Sequence, residues 1–462
     1  MRFLLLFLFA ITLQAEVLTL QDLLDRVQKS YPPLLAALQD REAAEGDLLT
    51  AMGRFDTNFR VRFDADQFGF YDNERVDVGV EQATPYWGTS FFGGWRVGDG
   101  NFATYDGKLA TRNLGEFRGG MRMPLLRDRA IDSRRSDVRK ADLNRRVAAL
   151  SIDQQKLVIA QTATRRYWDW LAAGQRYEVA RQLLDLAMKR NDILKEGVKL
   201  GQLPAIEVAE NERAILQRRS QIVEAERSLQ QVSIDLSLFY RDNAGAPLMP
   251  QPSQLPAGFP LMVALTEDSL KQDIETALRR RPEIERLIVQ RQQTQVDLQL
   301  AKNQLLPNLD VGLTFTQEAG VGSVKRGPSE LRGSLQFDLP FQRRNAQGRI
   351  MTTEARISQL NQREQFAREQ VVAEVQDAIS AVQTSYRRAR LITEEVKVAR
   401  QLEDAERSRF DLGDSTLFLV NLREQSTFDA AVREVSAQSD FFRATAVYEL
   451  AIAEALAPTK RP

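Results

Sequence analysis

From Arg349 to Leu412 the chain holds neither glycine nor proline, an unbroken run of 64 residues. As a helix rising about 1.5 Å per residue it would reach roughly 96 Å. A compact domain of this chain length is only about 60 Å across. Such a helix cannot lie inside a ball and must form the wall of something long. Its apolar positions Val371, Val375, Ala378, Val382, Ala389, Ile392, Val396 and Ala399 advance mostly in steps of four and three, the spacing of a coiled-coil seam. The helix is expected to stop at Asp411-Leu412-Gly413, because glycine just past a last turn takes the left-handed cap. Asp414-Ser415 then offer an N-cap, and no glycine or proline follows until after Ala457. The two segments read as a long helical hairpin with a tight tip at Gly413.

Composition removes several classes of function. Lys+Arg and Asp+Glu both number 63, so the net charge is zero, and nothing favours nucleic acid, which calls for a basic face. Histidine and cysteine are absent. The commonest general base and metal ligand is therefore missing, so neither a cofactor nor a metal centre is expected. The start reads Met1-Arg2, an apolar stretch from Phe3 to Leu13, then Leu13-Gln14-Ala15. That is the form of a secretory signal peptide cut after Ala15. Without cysteine, lipid attachment near the mature N-terminus is excluded.

Along the mature chain, Thr19 to Ser30 reads as a short helix capped by Thr19 with Asp22. Pro32-Pro33 open a second helix to about Met52. Residues 59–66 alternate strictly: Phe59, Val61, Phe63 and Ala65 face one way, Arg60, Arg62, Asp64 and Asp66 the other. This is a strand with one apolar and one charged face. A glycine- and aromatic-rich region to about Arg118 reads as a further strand or two with a long loop. Residues 117–123 alternate again, and a helix beginning near Arg129 continues to Leu200-Gly201, with Pro204 suited to the first position of the next helix, which runs to about Tyr240.

The second half repeats the first. Leu20 matches Leu270, Pro32 matches Pro282 and Val61 matches Val311 at an offset of 250; Pro124 matches Pro340 at 216, and Gly201 matches Gly413 at 212. The first half thus carries 34 extra residues between its strands and four more in its long helix. The expected division is a signal peptide at 1–15, a first repeat at 16–240 (strands about 59–125, hairpin about 129–240), a linker at 241–266, and a second repeat at 267–457 (strands about 309–340, hairpin about 345–457). In the second repeat, residues 309–316 and 331–339 alternate, with Asp310 and Asp338 on the polar side.

Two strands per half give about four per chain. Four strands leave open edges, and a charged face needs water. A barrel closed by several copies answers both demands, with the apolar face to lipid and Arg60, Arg62, Asp64, Asp310 and Asp338 to a wet lumen.

Here the chain resembles the TolC-like outer-membrane efflux proteins. The carriers are the duplicated order of elements and two matching tips, KLGQLPAIEVAENER (199–213) and DLGDSTLFLVNLRE (411–424). The resemblance implies a mainly α fold with a transmembrane β-barrel: a homotrimer with a helical tunnel through the periplasm and twelve strands, four per chain, in the outer-membrane lipid. It also implies a periplasmic adaptor (membrane fusion) protein and an inner-membrane pump of RND or ABC type as partners. Leu200, Gly201 and Pro204, with Leu412, Gly413 and Thr416, become the candidate adaptor-docking tips. Family tunnels are often shut by acidic rings after the turn. Here positions six and nine past Gly413 are Leu419 and Leu422, whereas the same positions past Gly201 are Glu207 and Glu210. The gate is therefore either apolar or carried by the first hairpin, with Asp414 a further candidate. No Walker motif is present, since Gly107-Lys108 is followed by Leu109, so a partner must supply energy. The expected function is a passive exit duct for efflux or type I secretion. A non-conducting coiled-coil scaffold is the alternative, and an enzyme finds no support because no GxSxG motif or metal-spaced cluster occurs.

Overall fold

A computed structural model describes residues 17–265, 270–322 and 329–454; the expected signal peptide lies outside them. The elements run α1 (Leu20–Ser30), α2 (Pro32–Met52), β1 (Asn58–Asp66), β2 (Asn73–Ala83), β3 (Ser90–Gly100), β4 (Glu116–Pro124), α3 (Ser133–Lys199) and α4 (Ala205–Ser237). After the proline-rich segment come α5 (Leu270–Arg280), α6 (Pro282–Asn303), β5 (Asn308–Glu318), β6 (Ser329–Asp338), α7 (Arg344–Asp411) and α8 (Leu417–Ala451). Two compact units emerge: the described parts of 1–38, 152–282 and 367–462, and those of 39–151 and 283–366. Among the described residues no helix is long and apolar enough to cross a membrane.

The long helices form where the absence of breakers demands them, α3 with 67 residues and α7 with 68. Their starts are set by local chemistry. The α3 helix begins four residues later than Arg129, because Asp128 holds a positive φ of 68°. Asp132 then accepts the Arg135 amide at 2.9 Å as an N-cap. Thr19 forms a capping box with Asp22 at the start of α1.

In the first unit, Trp170 and Leu171 of α3 are fully buried. Trp168 stacks on Phe442 of α8 at 4.5 Å between ring centroids, and the Tyr167 hydroxyl donates to the Leu18 carbonyl at 3.0 Å. This aromatic run packs the helices together. The proline-rich segment is packed too: Leu255 lies against Gly174 of α3, so closely that a Cβ there would meet its Cδ1 at 2.5 Å.

The second unit holds one antiparallel sheet in the order β1-β2-β3-β4-β5-β6. Among the described residues the strand count is thus six, against four expected. The extra hairpin, β2–β3, occupies the insertion between the first-half strands. Its alternation is diluted in sequence by Gly79, Gly93, Gly94 and Gly98, but pairing with β1 and β4 restores it. The register places Arg60 opposite Gly79, Arg62 opposite Asp77 and Asp64 opposite Arg75. Asp77 lies opposite Arg96 and Val78 opposite Trp95, and Asp310 lies opposite Pro124 and Gln336. One face therefore carries Arg60, Arg62, Asp64, Arg75, Asp77, Arg96, Glu116, Arg118, Arg122, Asp310, Arg332 and Asp338. The other carries Phe63, Val76, Val78, Trp95, Phe117, Leu313, Leu335 and Phe337.

Candidate functional site

The two tips, both in the first unit, end in the same backbone device. After α3, the Gly201 amide donates to the Val198 carbonyl at 3.0 Å and the Gln202 amide to Gly197 at 2.9 Å. After α7, the Gly413 amide donates to Phe410 and the Asp414 amide to Arg409, both at 2.9 Å. Each is a Schellman closure with a left-handed residue past the helix end, and φ is +70° at Gly201 and +82° at Gly413. Nothing lies within 4 Å of where a Cβ would stand at either glycine. The requirement is for the backbone angle alone, and the tips are open. Leu200 and Leu412 beside them are exposed.

The helices leaving the tips start differently. Pro204 is the N-cap residue of α4, extended at φ −71° and ψ 145°, rather than its first helical residue. Thr416 caps α8 by accepting the Leu419 amide, displacing Asp414-Ser415 from that role. The Ser415 hydroxyl instead donates to the Glu406 carboxylate at 2.5 Å.

The gate candidates separate. Leu419 and Leu422, three apart on α8, are both exposed, as is Asp414. Glu207 and Glu210 are half-buried on α4. Glu210 is already paired with Arg213 at 2.7 Å, so it does not stand as a free acid.

A buried ionic node among α3, α4, α7 and α8 went unread in the sequence. The Glu424 side chain is fully buried and receives Arg190, Arg218 at 2.7 Å and Arg407 at 3.3 Å. Arg218 also donates to the Leu183 carbonyl at 3.0 Å, and Arg190 to Asn421 at 3.0 Å. Burial works against ionisation of Glu424, but the Arg190 charge and the hydrogen bonds from Arg190 and Arg218 outweigh it. The carboxyl is held below the usual range. The available signal was its position: Leu417, Val420, Asn421 and Glu424 form one buried stripe at helical spacing, so a charge falls where the seam calls for an apolar residue.

In the second unit, the charged sheet face is laced by cross-strand pairs: Asp64 with Arg75, Asp77 with Arg118, Arg96 with Glu116 at 3.1 Å, and Arg122 with Asp310. The opposite face exposes Phe59, Val61, Phe63, Phe117, Phe315, Leu331, Leu335 and Phe337. So wide an apolar surface marks contact with lipid or protein. Among the described residues no cluster of acidic side chains could hold a metal ion.

Residues 274–450 match the family described as outer membrane efflux protein. The fold agrees with solved channels along nearly the whole chain. It superposes on the Neisseria gonorrhoeae MtrE outer membrane channel with a TM-score of 0.66 at 15% identity, covering 94% of this chain and 88% of that one. For the Campylobacter jejuni CmeC outer membrane channel the TM-score is 0.63 at 14% identity, with 94% and 85% covered. For the Vibrio cholerae outer membrane protein VceC it is 0.63 at 15% identity, with 94% and 96% covered. The family match covers residues 274–450, most of the second repeat, and the likeness of fold to these outer membrane proteins extends over nearly the whole chain. No curated protein sequence matches the chain at a significant level.

Proposed function

We propose that this chain is an outer membrane efflux protein, the homotrimeric exit duct of a tripartite efflux or type I secretion system. The observation that supports it most is the two-faced sheet with both edge strands unpaired. An apolar face turned to lipid and a charged face turned to water suit a barrel wall, whereas a coiled-coil rod has no use for either. In this reading Arg60, Arg62, Asp64, Asp310 and Asp338 line a wet lumen. The tips at Leu200, Gly201 and Pro204, and at Leu412, Gly413 and Thr416, meet a periplasmic adaptor. An inner-membrane pump of RND or ABC type supplies the energy.

The exposed pair Leu419 and Leu422 makes an apolar constriction the favoured gate, since Glu210 is neutralised by Arg213. Charged, hydrated solutes cross a narrow apolar ring poorly, and small outward movements of α8 would wet it. The test is substrate accumulation in cells lacking the protein, with and without complementation, alongside co-purification of an adaptor. Restored export with a co-purified adaptor is the expected outcome. Complementation that restores envelope integrity but no export would favour a scaffold.

A further inference from the structure

The insertion that sets the first repeat apart from the second is built like a piece of membrane wall. Strands β2 and β3 are each 11 residues long, and the other four run 9 to 11. That is the length a tilted transmembrane strand requires, about 9–11 residues. The hairpin continues both faces of its neighbours without a break: Val76, Val78, Val80, Phe91, Trp95 and Val97 on the apolar side, Arg75, Asp77 and Arg96 on the charged side. Its two ends carry exposed aromatics. Tyr86 and Trp87 sit at the β2–β3 turn, and Phe68 and Phe70 precede β2. Aromatic girdles at both interfaces are the mark of a membrane barrel.

The outer β3–β4 loop, residues 101–115, folds over the charged face. A Cβ on Gly98, a charged-face position, would stand 2.2 Å from the Leu109 carbonyl oxygen. Glu318, also on that face and buried, accepts the Arg112 amide at 3.0 Å. A barrel that takes such a loop inside from every copy needs width.

Both edges remain open. Every residue of β1 and of β6 is exposed, yet unpaired strand edges do not occur in the hydrocarbon region. Their charged faces are complementary in antiparallel alignment. From the helix end outward, β1 presents Arg60, Arg62 and then Asp64, while β6 presents Asp338, two neutral residues and then Arg332.

We propose that three copies of this chain close a single eighteen-stranded barrel, each β6 pairing with the β1 of the next copy and the three 101–115 loops folding into the lumen. The inference rests on the trimeric duct proposed above. Barrel diameter grows nearly linearly with strand number, so this wall is about half again as wide as one of twelve strands. The barrel then sets no size limit on what leaves, and selection by size falls to the helical tips and the inward loops.

The experiment is electron cryo-microscopy of the purified protein in lipid nanodiscs, joined to disulfide trapping. The chain has no cysteine, so the pair Arg60→Cys and Gln336→Cys reports only on β1–β6 contact between copies. A trimer with eighteen wall strands, and a covalent trimer on oxidation, is expected. A trimer whose wall has twelve strands, with β2–β3 standing outside it, would overturn this inference and leave the duct intact. A particle that is not trimeric would overturn both.

Discussion

Glu424 of α8 and Arg218 of α4 are joined by an ion pair, 2.7 Å from Oε2 to Nη2, with both side chains withdrawn from solvent. A charge taken out of water is tolerated only when its partners are complete. Here Arg190 and Arg407 complete them from α3 and α7. Removing one partner of a buried pair costs about 3–5 kcal/mol, because the survivor is left uncompensated. Glu424→Gln is therefore expected to lower the thermal unfolding midpoint followed by helical circular dichroism. Glu424→Leu combined with Arg218→Met should recover part of the loss. A Glu424→Gln midpoint equal to the parent would contradict the role assigned to the node.

The same node predicts a pH dependence. The folded carboxyl titrates below its unfolded value of about 4.3, so the unfolded chain binds the proton more readily. Its contribution is present in full above that value and fades as pH falls through the lower folded one. The midpoint difference between parent and Glu424→Gln should stay constant from neutrality down to about pH 5 and shrink in stronger acid. A difference that grows on acidification would have the wrong sign.

At the tips, the positive φ of Gly413 with open space around it separates shape from stability. A β-branched residue there costs about 1–3 kcal/mol of backbone strain, small beside a trimer. Gly413→Val should leave outer-membrane trimer, measured by cross-linking, nearly unchanged while export is lost. Gly413→Asn, which tolerates the left-handed region, should retain much of it. Normal export by Gly413→Val would reduce this glycine to a helix cap.

The sheet faces predict unequal effects of neighbouring substitutions. Phe63 lies on the exposed apolar face and Arg62 on the charged one. An arginine facing lipid near mid-membrane costs about 2–4 kcal/mol. Phe63→Arg should cut the amount of protein assembled in the outer membrane far more than Arg62→Phe, as read by fractionation. Equal losses would argue against the assigned faces.

Much of this architecture was legible because it is periodic. The run from Arg349 to Leu412 could only be a helix, and the strict alternation of residues 59–66 could only be a two-faced strand. The left-handed glycines at 201 and 413 were readable because each ends a helix at the same point of a repeat. What escaped was tertiary in origin. Strands β2 and β3 were blurred by glycines that the sheet uses for close approach, such as Gly94, whose Cβ would stand 2.5 Å from the Val78 carbonyl oxygen. Ser415 looked like a cap, but Glu406 on α7 claims its hydroxyl, and Thr416 takes the cap instead. The Glu424 node went unread because its three arginine partners come from three other helices.

The most direct test of the account is the water accessibility of adjacent sheet residues in intact outer membranes. Single cysteines at Arg62 and at Phe63, in a chain that has none of its own, would be exposed to a small water-soluble maleimide. The account predicts rapid labelling at position 62 and protection at position 63 until detergent strips the lipid. Equal labelling of both, or labelling of 63 alone, would contradict a membrane wall enclosing an aqueous duct.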